Sequence, residues 1–481
     1  MTAGQWMAAR APWLMLAVFL GQAGVLSLLR SGTSYDGAEQ LIYTQVFDFG
    51  YGRSQPPLFT WMLLGMQQVF GVSQIAENLL KFALLGAGFA AIWRIAVALG
   101  SDRVVAAAAM VSLFLTVEIG FEAQRNYTHS VLLFALTGWI AVIYLGLLER
   151  RSVGQYLLMG ALMGAVMLSK YNAALMIFAL VVADLSLREA GVFRAKASGL
   201  VWLVAAVVGL PHAIWAVANP DEVFALSAGF VGGQAPSLAA TAVRGVGAYL
   251  EAALGLLGPL ALVAGIAMVW RQRPAVAVPK GAEARRVLWR WVLLMAIAGL
   301  LVTLLTTATV VRMRWLIPLC VPLVPLSICA VLARAPRATG GVMAVGLILG
   351  VVSVAGQWVQ SLWINPRTDY DYAALATDMA EAGLPMDIVA VSYAEFANLR
   401  LYGVDRVVVP VLPDPAALAP DAATAIWAAG RDGDAARVEA FAGALGLCAD
   451  GPGTPRTLAR RHGEGGLEVF VMPVTAAACA D

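Results

Sequence analysis

Charged residues are scarce in this chain of 481 residues, and so are cysteine and histidine. Asp, Glu, Lys and Arg together make up 13% of the sequence, whereas soluble globular proteins contain about 25%. Too few charges remain to cover the surface of a water-soluble protein of this length, so that class is excluded. The formal net charge of +2 offers no basic surface for nucleic acid. The four cysteines form no Cys-x-x-Cys pair, and no structural zinc site is indicated.

Apolar residues make up 60% of the chain and collect in long runs. A run of about 20 apolar residues crosses the hydrocarbon core of a bilayer. The sequence therefore predicts an α-helical polytopic membrane protein with about eleven transmembrane helices. The predicted spans are residues 12–30, 78–99, 103–121, 130–148, 154–169, 171–187, 197–217, 246–270, 290–310, 315–333 and 340–363. The first run lacks an A-x-A cleavage site and is predicted to remain as a span.

The apolar stretch from Pro56 to Phe70 is too short to span, and we predict an interfacial or re-entrant helix. Lys and Arg are more frequent in alternate loops, which predicts a cytoplasmic N-terminus. An odd number of spans then places the first loop, residues 31–77, and the C-terminal region on the outer side. We assign residues 1–365, including that loop, to a transmembrane module and residues 366–481 to a small outer domain.

The C-terminal region alternates short β-like runs with helix-like segments, which predicts a small α/β domain. The predicted strands are residues 386–393, 406–412 and 468–474, and the predicted helices are residues 372–383, 394–402, 414–429 and 434–446. Cys448 and Cys479 are the only cysteines of this region, and an outer location permits a disulfide, so we predict that they pair. Cys320 and Cys329 fall within one span and are predicted to be inert core residues.

The first outer loop carries two carboxylates that are candidates for a catalytic role. Asp36 opens an apparent helix and Glu39 follows three residues later, which is the spacing of a capping box. A catalytic carboxylate at the membrane surface is the other interpretation, and both stay open. Downstream, Gly50-Tyr51-Gly52 and Gln55-Pro56-Pro57 indicate a rigid turn before the short apolar helix.

Further polar residues gather at other predicted outer span ends. Glu122, Arg125 and His129 lie at the mouth of two long spans, where ionisable groups are costly and often functional. The alternatives are an internal Glu122–Arg125 ion pair and a hydrogen-bonded structural role for His129. Lys170 and Tyr171 lie at the junction of the two short predicted spans, where a functional role is one interpretation. The alternative is that the lysine only snorkels, placing its charge at the membrane surface.

Arg312 and Arg314 lie beside Trp315 on the side where positive charge is disfavoured. Guanidinium groups bind phosphate oxygens bidentately, so a phosphate is the natural ligand, and ordinary lipid headgroups are the alternative. No G-x-x-x-x-G-K-[ST], G-x-G-x-x-G or H-E-x-x-H motif occurs, so ATP hydrolysis, nicotinamide chemistry and zincin-type proteolysis lack support.

These motifs resemble those of polytopic glycosyltransferases of the GT-C superfamily. More narrowly, the chain is similar to bacterial relatives of the protein O-mannosyltransferases and the lipid A aminoarabinose transferases (glycosyltransferase families 39 and 83). The resemblance covers residues 10–365 and rests on the order and sidedness of the motifs. The motifs are Asp36-x-x-Glu39-Gln40 with Tyr35 before it, Gly50-Tyr51-Gly52 with Gln55-Pro56-Pro57-Leu58, Glu122-x-x-Arg125-x-x-x-His129, Ser169-Lys170-Tyr171-Asn172 and Arg312-x-Arg314-Trp315.

The resemblance implies transfer of a sugar from a polyprenyl-phosphate carrier to an envelope acceptor, on the periplasmic side of a bacterial inner membrane. The acceptor class stays open between lipid A, polysaccharide, glycolipid and protein. Asp36 would be the general base of an inverting reaction, with Glu39 beside it. Arg312, Arg314, Lys170 and Arg125 would neutralise the leaving phosphate. His129, Glu122, Tyr35, Tyr51, Gln55 and Tyr171 would complete the site.

Three points stay open at this level. Family members usually carry a second acidic residue near the start of the fourth span, where this chain has Thr128-His129-Ser130. Either His129 takes that role or the acceptor differs. No cofactor is predicted, and participation of a divalent ion stays undecided. The competing functions are a flippase or transporter for polyprenyl-linked sugars, and a non-catalytic assembly subunit of an envelope polysaccharide system.

Overall fold

The protein is mostly helical, with one small sheet near its C-terminus. Its structure, a computed structural model, describes residues 3–52, 55–187, 191–224, 237–271, 281–412, 414–430 and 434–479. Arg53 and Ser54, inside the turn predicted before Pro56, lie outside the described residues.

Eight helices within the described residues are long and apolar enough to cross a membrane. They are Ala3–Leu29, Gln74–Ala98, His129–Glu149, Ser198–Ala218, Leu238–Ala267, Ala282–Leu305, Ile317–Arg334 and Thr339–Val359. A ninth candidate is a pair of helical segments, Arg103–Leu115 and Glu118–Arg125, bent by 83°. The prediction of a multi-pass α-helical membrane protein is confirmed.

Three shorter apolar helices account for the remaining predicted segments. Val153–Met167 and Ala173–Leu185 contain 15 and 13 residues and occupy the fifth and sixth predicted spans. Leu58–Phe70, with 13 residues, occupies the stretch that was too short to span. Each of the eleven predicted spans thus falls on helical structure, but two of the helices are shorter than a bilayer crossing requires.

The chain divides into two compact units. The unit that we call the helical unit consists of Met1–Gly21, Arg53–Phe59 and Lys81–Val354. The other, which we call the mixed unit, consists of Gln22–Gly52, Thr60–Leu80 and Ala355–Asp481. The residues of the first loop therefore belong mainly to the compact unit that also contains the C-terminal sheet.

Close helix packing in the helical unit depends on two glycines spaced four residues apart. A Cβ added to Gly160 would lie 2.6 Å from the carbonyl oxygen of Val201, and one added to Gly164 would lie 2.7 Å from Val208 Cβ. The glycines let helix Val153–Met167 approach helix Ser198–Ala218 backbone to backbone, as small-xxx-small patterns do in membranes.

The mixed unit contains a six-stranded sheet. Its strands are β1 (Ile388–Ala390), β2 (Val407–Val408), β3 (Ala422–Ala428), β4 (Cys448–Ala449), β5 (Thr454–Ala459) and β6 (Gly466–Thr475). Their order is β2-β1-β3-β6-β4, and β5 also pairs with β6. The pairs β1–β2 and β1–β3 are parallel, whereas β6 runs antiparallel to its neighbours. The mixed unit also has helices Tyr35–Tyr43, Tyr372–Glu381, Tyr393–Phe396 and Asp434–Ala444 and the 3-10 segment Ala397–Tyr402.

The helix predicted at residues 414–429 is wrong, because Ala422–Ala428 forms strand β3 at the centre of the sheet. Its alanines favour a helix in isolation. In the fold, six of its seven residues are buried, and the strand pairs with β1 on one side and β6 on the other. Tertiary pairing thus overrides local propensity here. The other three predicted helices and all three predicted strands have counterparts in the structure.

The two cysteines of the C-terminal region form the predicted disulfide, and the other two are free. Cys448 and Cys479 form a disulfide that joins β4 to the residues that follow β6. Cys320 is buried and Cys329 is half-buried, and neither is disulfide-bonded. The predicted pairing is therefore confirmed.

Candidate functional site

Asp36 lies in the first turn of helix Tyr35–Tyr43 in the mixed unit and is half-buried. The N-cap of this helix is Ser34, whose carbonyl oxygen accepts the Ala38 N–H at 2.8 Å. The capping-box interpretation of Asp36 and Glu39 is therefore wrong, because the helix begins one residue before Asp36. The positive end of the helix dipole still stabilises a carboxylate at this position.

The segment that leads into this helix is fixed by hydrogen bonds to much later residues. The Ser31 N–H donates to the Thr368 carbonyl oxygen at 2.9 Å, and the Thr33 N–H donates to Asn398 Oδ1 at 2.7 Å. The Tyr402 hydroxyl donates to the Ser31 carbonyl oxygen at 2.7 Å. These three hydrogen bonds, each of which uses a backbone group of the segment, fix the position of Asp36 within the mixed unit.

The same helix buries its next polar residues. Glu39 is 8% exposed, and the Gln40 side chain accepts a hydrogen bond from Thr60 Oγ1 at 2.7 Å. A Cβ added to Gly37 would lie within 2.7 Å of both carboxylate oxygens of Glu77. A second buried carboxylate therefore packs against the residue that follows Asp36, and the sequence did not reveal it.

Tyr51 and Gln55, predicted as site residues, lie in different environments. Tyr51 is buried, donates to the Val46 carbonyl oxygen at 3.1 Å and accepts the Asp48 N–H at 3.0 Å. Burial raises its pKa to about 12, so its hydroxyl is neutral at physiological pH and stabilises the loop. Gln55 is half-buried, and its Oε1 has no hydrogen-bond partner among the described residues.

In the helical unit, the turn that carries Lys170 is held from three sides. The Leu58 N–H, just after the two prolines, donates to the Leu168 carbonyl oxygen at 3.0 Å. The Tyr171 hydroxyl lies 3.0 Å from His212 Nε2, and their rings stack at 5.7 Å. Asn172 Nδ2 donates to the Trp315 carbonyl oxygen at 3.2 Å. Three motifs that are far apart in sequence therefore meet at this turn.

Arg314 lies beside a buried tyrosine–carboxylate pair. Its guanidinium carbon is 5.6 Å from the centre of the Tyr127 ring, and the Tyr127 hydroxyl donates to Glu118. Glu118 is 4% exposed, and the charges of Arg314 and Lys170 both act on it. Tyr127 and Glu118 therefore form a buried polar pair beside Arg314, and both predicted phosphate ligands lie within electrostatic range of Glu118.

His129 belongs to the same group of side chains. It is 3% exposed, its ring packs at 5.6 Å from Phe59, and it hydrogen-bonds to the backbone of Ser169. The charges of Lys170 and Arg314 act on it as well. His129 thus lies within electrostatic range of the two predicted phosphate ligands, and its direct contacts are with Phe59 and Ser169.

The remaining predicted cations are arranged differently. Arg125 forms an ion pair with Glu122 at 2.8 Å, and Asn126 Nδ2 donates to the same carboxylate at 3.2 Å. The alternative interpretation of these two residues as an internal ion pair is therefore confirmed. Arg312 is exposed, in contrast to half-buried Arg314.

Sequence reasoning missed Glu118, Tyr127 and His212. Glu118 and His212 lie within apolar stretches, and their polarity in a predicted span was a signal that could have identified them. Tyr127 was visible in the motif but not assigned. Among the described residues, no group of three or more His, Cys, Asp or Glu side chains is arranged to hold a metal ion.

Comparison with known proteins agrees with this architecture. Residues 54–215 match the family model of dolichyl-phosphate-mannose-protein mannosyltransferases. The chain is 31% identical to the lipopolysaccharide core galacturonosyltransferase RgtB of Rhizobium johnstonii, over 68% of this chain and 66% of that protein. It is 28% identical to RgtA of the same organism, named for the same activity, over 84% of this chain and 82% of that protein.

Two solved structures share the fold. ArnT from Cupriavidus metallidurans bound to undecaprenyl phosphate superposes with a TM-score of 0.66 at 16% identity, covering 98% of both chains. Its apo form gives a TM-score of 0.61 at 15% identity, covering 95% of this chain and 97% of the other. Sequence and fold together place this multi-pass protein in the GT-C superfamily of membrane glycosyltransferases.

Proposed function

We propose that this protein transfers a sugar from a polyprenyl-phosphate carrier to a hydroxyl group of lipopolysaccharide. Two relatives are named for transfer of galacturonic acid to the lipopolysaccharide core, so a polyprenyl-phosphate-linked galacturonic acid is the first donor to test. A neighbour of the same fold binds undecaprenyl phosphate, which supports a carrier of this class.

The observation that carries the proposal is the cationic cluster of the helical unit. Arg314 lies over the ring of Tyr127, which donates to buried Glu118, and Lys170 lies within electrostatic range of the same carboxyl. In apolar surroundings such cations are costly unless they have a use. We assign the phosphate of the donor to these two cations, with exposed Arg312 assisting. Arg125 already pairs with Glu122 and is a weaker candidate for this role.

The base in this proposal is the carboxylate in the first turn of helix Tyr35–Tyr43. Asp36 removes the proton from the acceptor hydroxyl as its oxygen attacks the anomeric carbon of the donor sugar. The bond from that carbon to the phosphate oxygen breaks, and polyprenyl phosphate leaves with the electron pair. In-line attack inverts the anomeric configuration. Glu39, one turn further along the helix, is the second carboxylate of this site.

We also propose the location and the division of the chain. Residues 1–365 form the transmembrane catalytic module, and residues 366–481 form a periplasmic domain. The protein lies in the bacterial inner membrane with its N-terminus in the cytoplasm. Lys and Arg frequencies in the loops and the Cys448–Cys479 disulfide, which suits an oxidising compartment, support this orientation.

Reconstitution tests the function directly. The full chain in proteoliposomes receives a radiolabelled polyprenyl-phosphate sugar and purified lipopolysaccharide. The expected result is label in lipopolysaccharide and release of polyprenyl phosphate. Label that crosses the bilayer while still attached to its carrier would instead identify a flippase, and no change in the donor would favour an assembly subunit.

A strain that lacks the protein gives the complementary measurement. It should accumulate the polyprenyl-phosphate sugar, and its lipopolysaccharide should lack one sugar by mass spectrometry. Normal lipopolysaccharide together with an under-glycosylated protein or other glycan would overturn the proposed acceptor class but leave the transferase reaction intact.

A further inference from the structure

Tyr35, directly before Asp36, forms an exposed cluster with two residues of the C-terminal region. Its ring lies 5.2 Å from the Tyr393 ring, and the guanidinium carbon of Arg367 lies 5.7 Å from the centre of the Tyr35 ring. Tyr35 is 43% exposed, whereas Tyr393 is 5% exposed. An aromatic face and a cation are therefore presented to solvent next to the proposed base, all within the mixed unit.

The backbone of Arg367 is fixed relative to the segment that carries Asp36. A Cβ added to Gly32 would lie 2.4 Å from the Arg367 carbonyl oxygen, so these two backbones are in direct contact. The same carbonyl oxygen accepts a hydrogen bond from the Tyr372 hydroxyl at 3.2 Å, and Asn365 Oδ1 accepts the Arg367 N–H at 3.3 Å. Such pre-organisation is typical of a binding group and costs little entropy when a ligand arrives.

The hydrogen-bonding capacity of Arg367 is only partly used. Its Nη2 pairs with Glu395 at 3.3 Å, and Glu395 is 5% exposed. Its Nε is buried and has no hydrogen-bond partner among the described residues, so the solvent-facing part of the guanidinium is its outer edge. The side chain is 36% exposed, so the outer part of a planar fork that binds carboxylates and phosphates bidentately remains open to solvent.

We propose that Tyr35 and Arg367 form a subsite that binds an anionic sugar of the acceptor. The guanidinium pairs with the carboxylate or phosphate of that sugar, and the Tyr35 ring packs against its C–H face. The neighbouring hydroxyl is thereby presented to Asp36. This inference rests on the proposed function and adds the charge of the acceptor and the residues that select it.

The alternative is a purely structural role, in which Arg367 only neutralises the charge of buried Glu395. Replacing Arg367 alone would leave that buried carboxylate without its cation, bonded to the neutral hydroxyl of Ser392, and would destabilise the fold. The informative variant is therefore Arg367→Gln combined with Glu395→Gln, which removes both charges and keeps two side chains able to hydrogen-bond. The matched control is Arg437→Gln with Asp434→Asn, because Asp434 is 7% exposed and pairs with Arg437 at 3.0 Å in the same unit.

The measurement is the steady-state kinetics of the full chain in proteoliposomes with purified lipopolysaccharide as acceptor. The double variant should raise the KM for acceptor about tenfold, because a charge-assisted hydrogen bond is lost. The kcat at saturating acceptor and the KM for donor should stay within twofold of the wild type. The control should match the wild type, and an unchanged KM for acceptor in the Arg367 variant would overturn the inference.

Two modified acceptors separate the possible anions. If the group is a carboxylate, carboxyl-reduced lipopolysaccharide should raise the KM for acceptor of the wild type to that of the Arg367 variant. If it is a phosphate, dephosphorylated lipopolysaccharide should have that effect. A wild-type KM for acceptor that stays lower than that of the variant with both modified acceptors would contradict an anionic ligand.

Binding without turnover distinguishes this inference from the proposed function. Purified full-length protein in detergent should bind lipopolysaccharide about tenfold more tightly than the Arg367 variant. Such a difference without sugar transfer would refute the proposed reaction and retain the subsite. Transfer with equal affinities for both proteins would retain the reaction and refute the subsite. A Tyr35→Phe variant should keep the affinity, and Tyr35→Ala should weaken it.

Discussion

The two compact units hold their polar residues in different ways. In the helical unit, Arg314 lies over the ring of Tyr127, which donates to buried Glu118, and Lys170 lies within electrostatic range of the same carboxyl. In the mixed unit, the segment before Asp36 is fixed by hydrogen bonds to residues 368, 398 and 402. The difference fits two tasks. Under the proposed function, the cations bind a bulky lipid phosphate, whereas the base is held at one position relative to its acceptor.

The largest expected effect is that of Asp36→Asn. The substitution keeps the size of the side chain and removes the proton acceptor, so kcat should fall by about 10² to 10⁴. The KM for donor should not change if donor binding belongs to the helical unit. Initial transfer rates with labelled donor measure both quantities. Asp48→Asn in the same loop is the control, and an equal loss in that variant would contradict a specific role for Asp36.

The next effect in size concerns Arg314→Gln. Loss of a cation that stabilises the leaving phosphate should lower kcat/KM for donor about 10²-fold. Arg314→Lys should recover part of this loss, because lysine keeps the charge but not the planar fork. Arg334→Gln, at the other end of the following helix, is the control. An effect confined to the KM for acceptor would break the assignment of this unit to the donor.

A smaller effect, on stability, is expected for Gly32→Ala. The added Cβ would lie 2.4 Å from the Arg367 carbonyl oxygen, and the backbone must shift. We expect a loss of about 1 to 3 kcal/mol in the free energy of unfolding of the mixed unit. Gly443→Ala is the control, because nothing lies within 4 Å of its added Cβ. Thermal unfolding of both variants in detergent measures the difference, and equal melting temperatures would refute a rigid contact.

The smallest effect is a pH dependence that arises from Asp369 in the mixed unit. Burial alone would raise its pKa, but hydrogen bonds from the His462 ring at 2.7 Å, the Gly463 N–H and Arg460 outweigh burial and lower the pKa. A carboxyl whose folded pKa is depressed contributes stability above its unfolded pKa of about 3.9, and this contribution is lost as the pH falls through the folded value.

Acid titration of the wild type and Asp369→Asn checks this expectation. Below a pH of about 4, the melting temperature of the wild type should fall more steeply than that of the variant. Parallel curves would show that the Asp369 network does not contribute to acid sensitivity.

Local patterns were sufficient to predict the membrane helices and the family. Long apolar runs identify spans because a bilayer sets their length, and the motif order indicated the GT-C superfamily before any fold was known. Lys170, Arg314 and His129 also lie at the ends of helical segments, as the apolar runs predicted. Two of the predicted spans are helices of only 15 and 13 residues, because apolar composition does not by itself fix length.

Long-range pairing could not be predicted. Nothing local to residues 422–428 indicates that they become a central strand, since pairing with β1 and β6 decides it. The Ser31–Thr368 and Thr33–Asn398 hydrogen bonds join parts of the chain that share no pattern. For the same reason, the sequence did not associate Arg367 with Tyr35 or Glu77 with Gly37.

The bond between Thr33 and Asn398 has a consequence for biosynthesis. The partner of Thr33 is translated 365 residues later. At about 5 to 20 residues per second, the ribosome delivers it about 20 to 70 s after the first loop. During that interval, the segment before Asp36 lacks the contacts that hold it. The segment that positions Asp36 is therefore completed only after most of the chain has been translated.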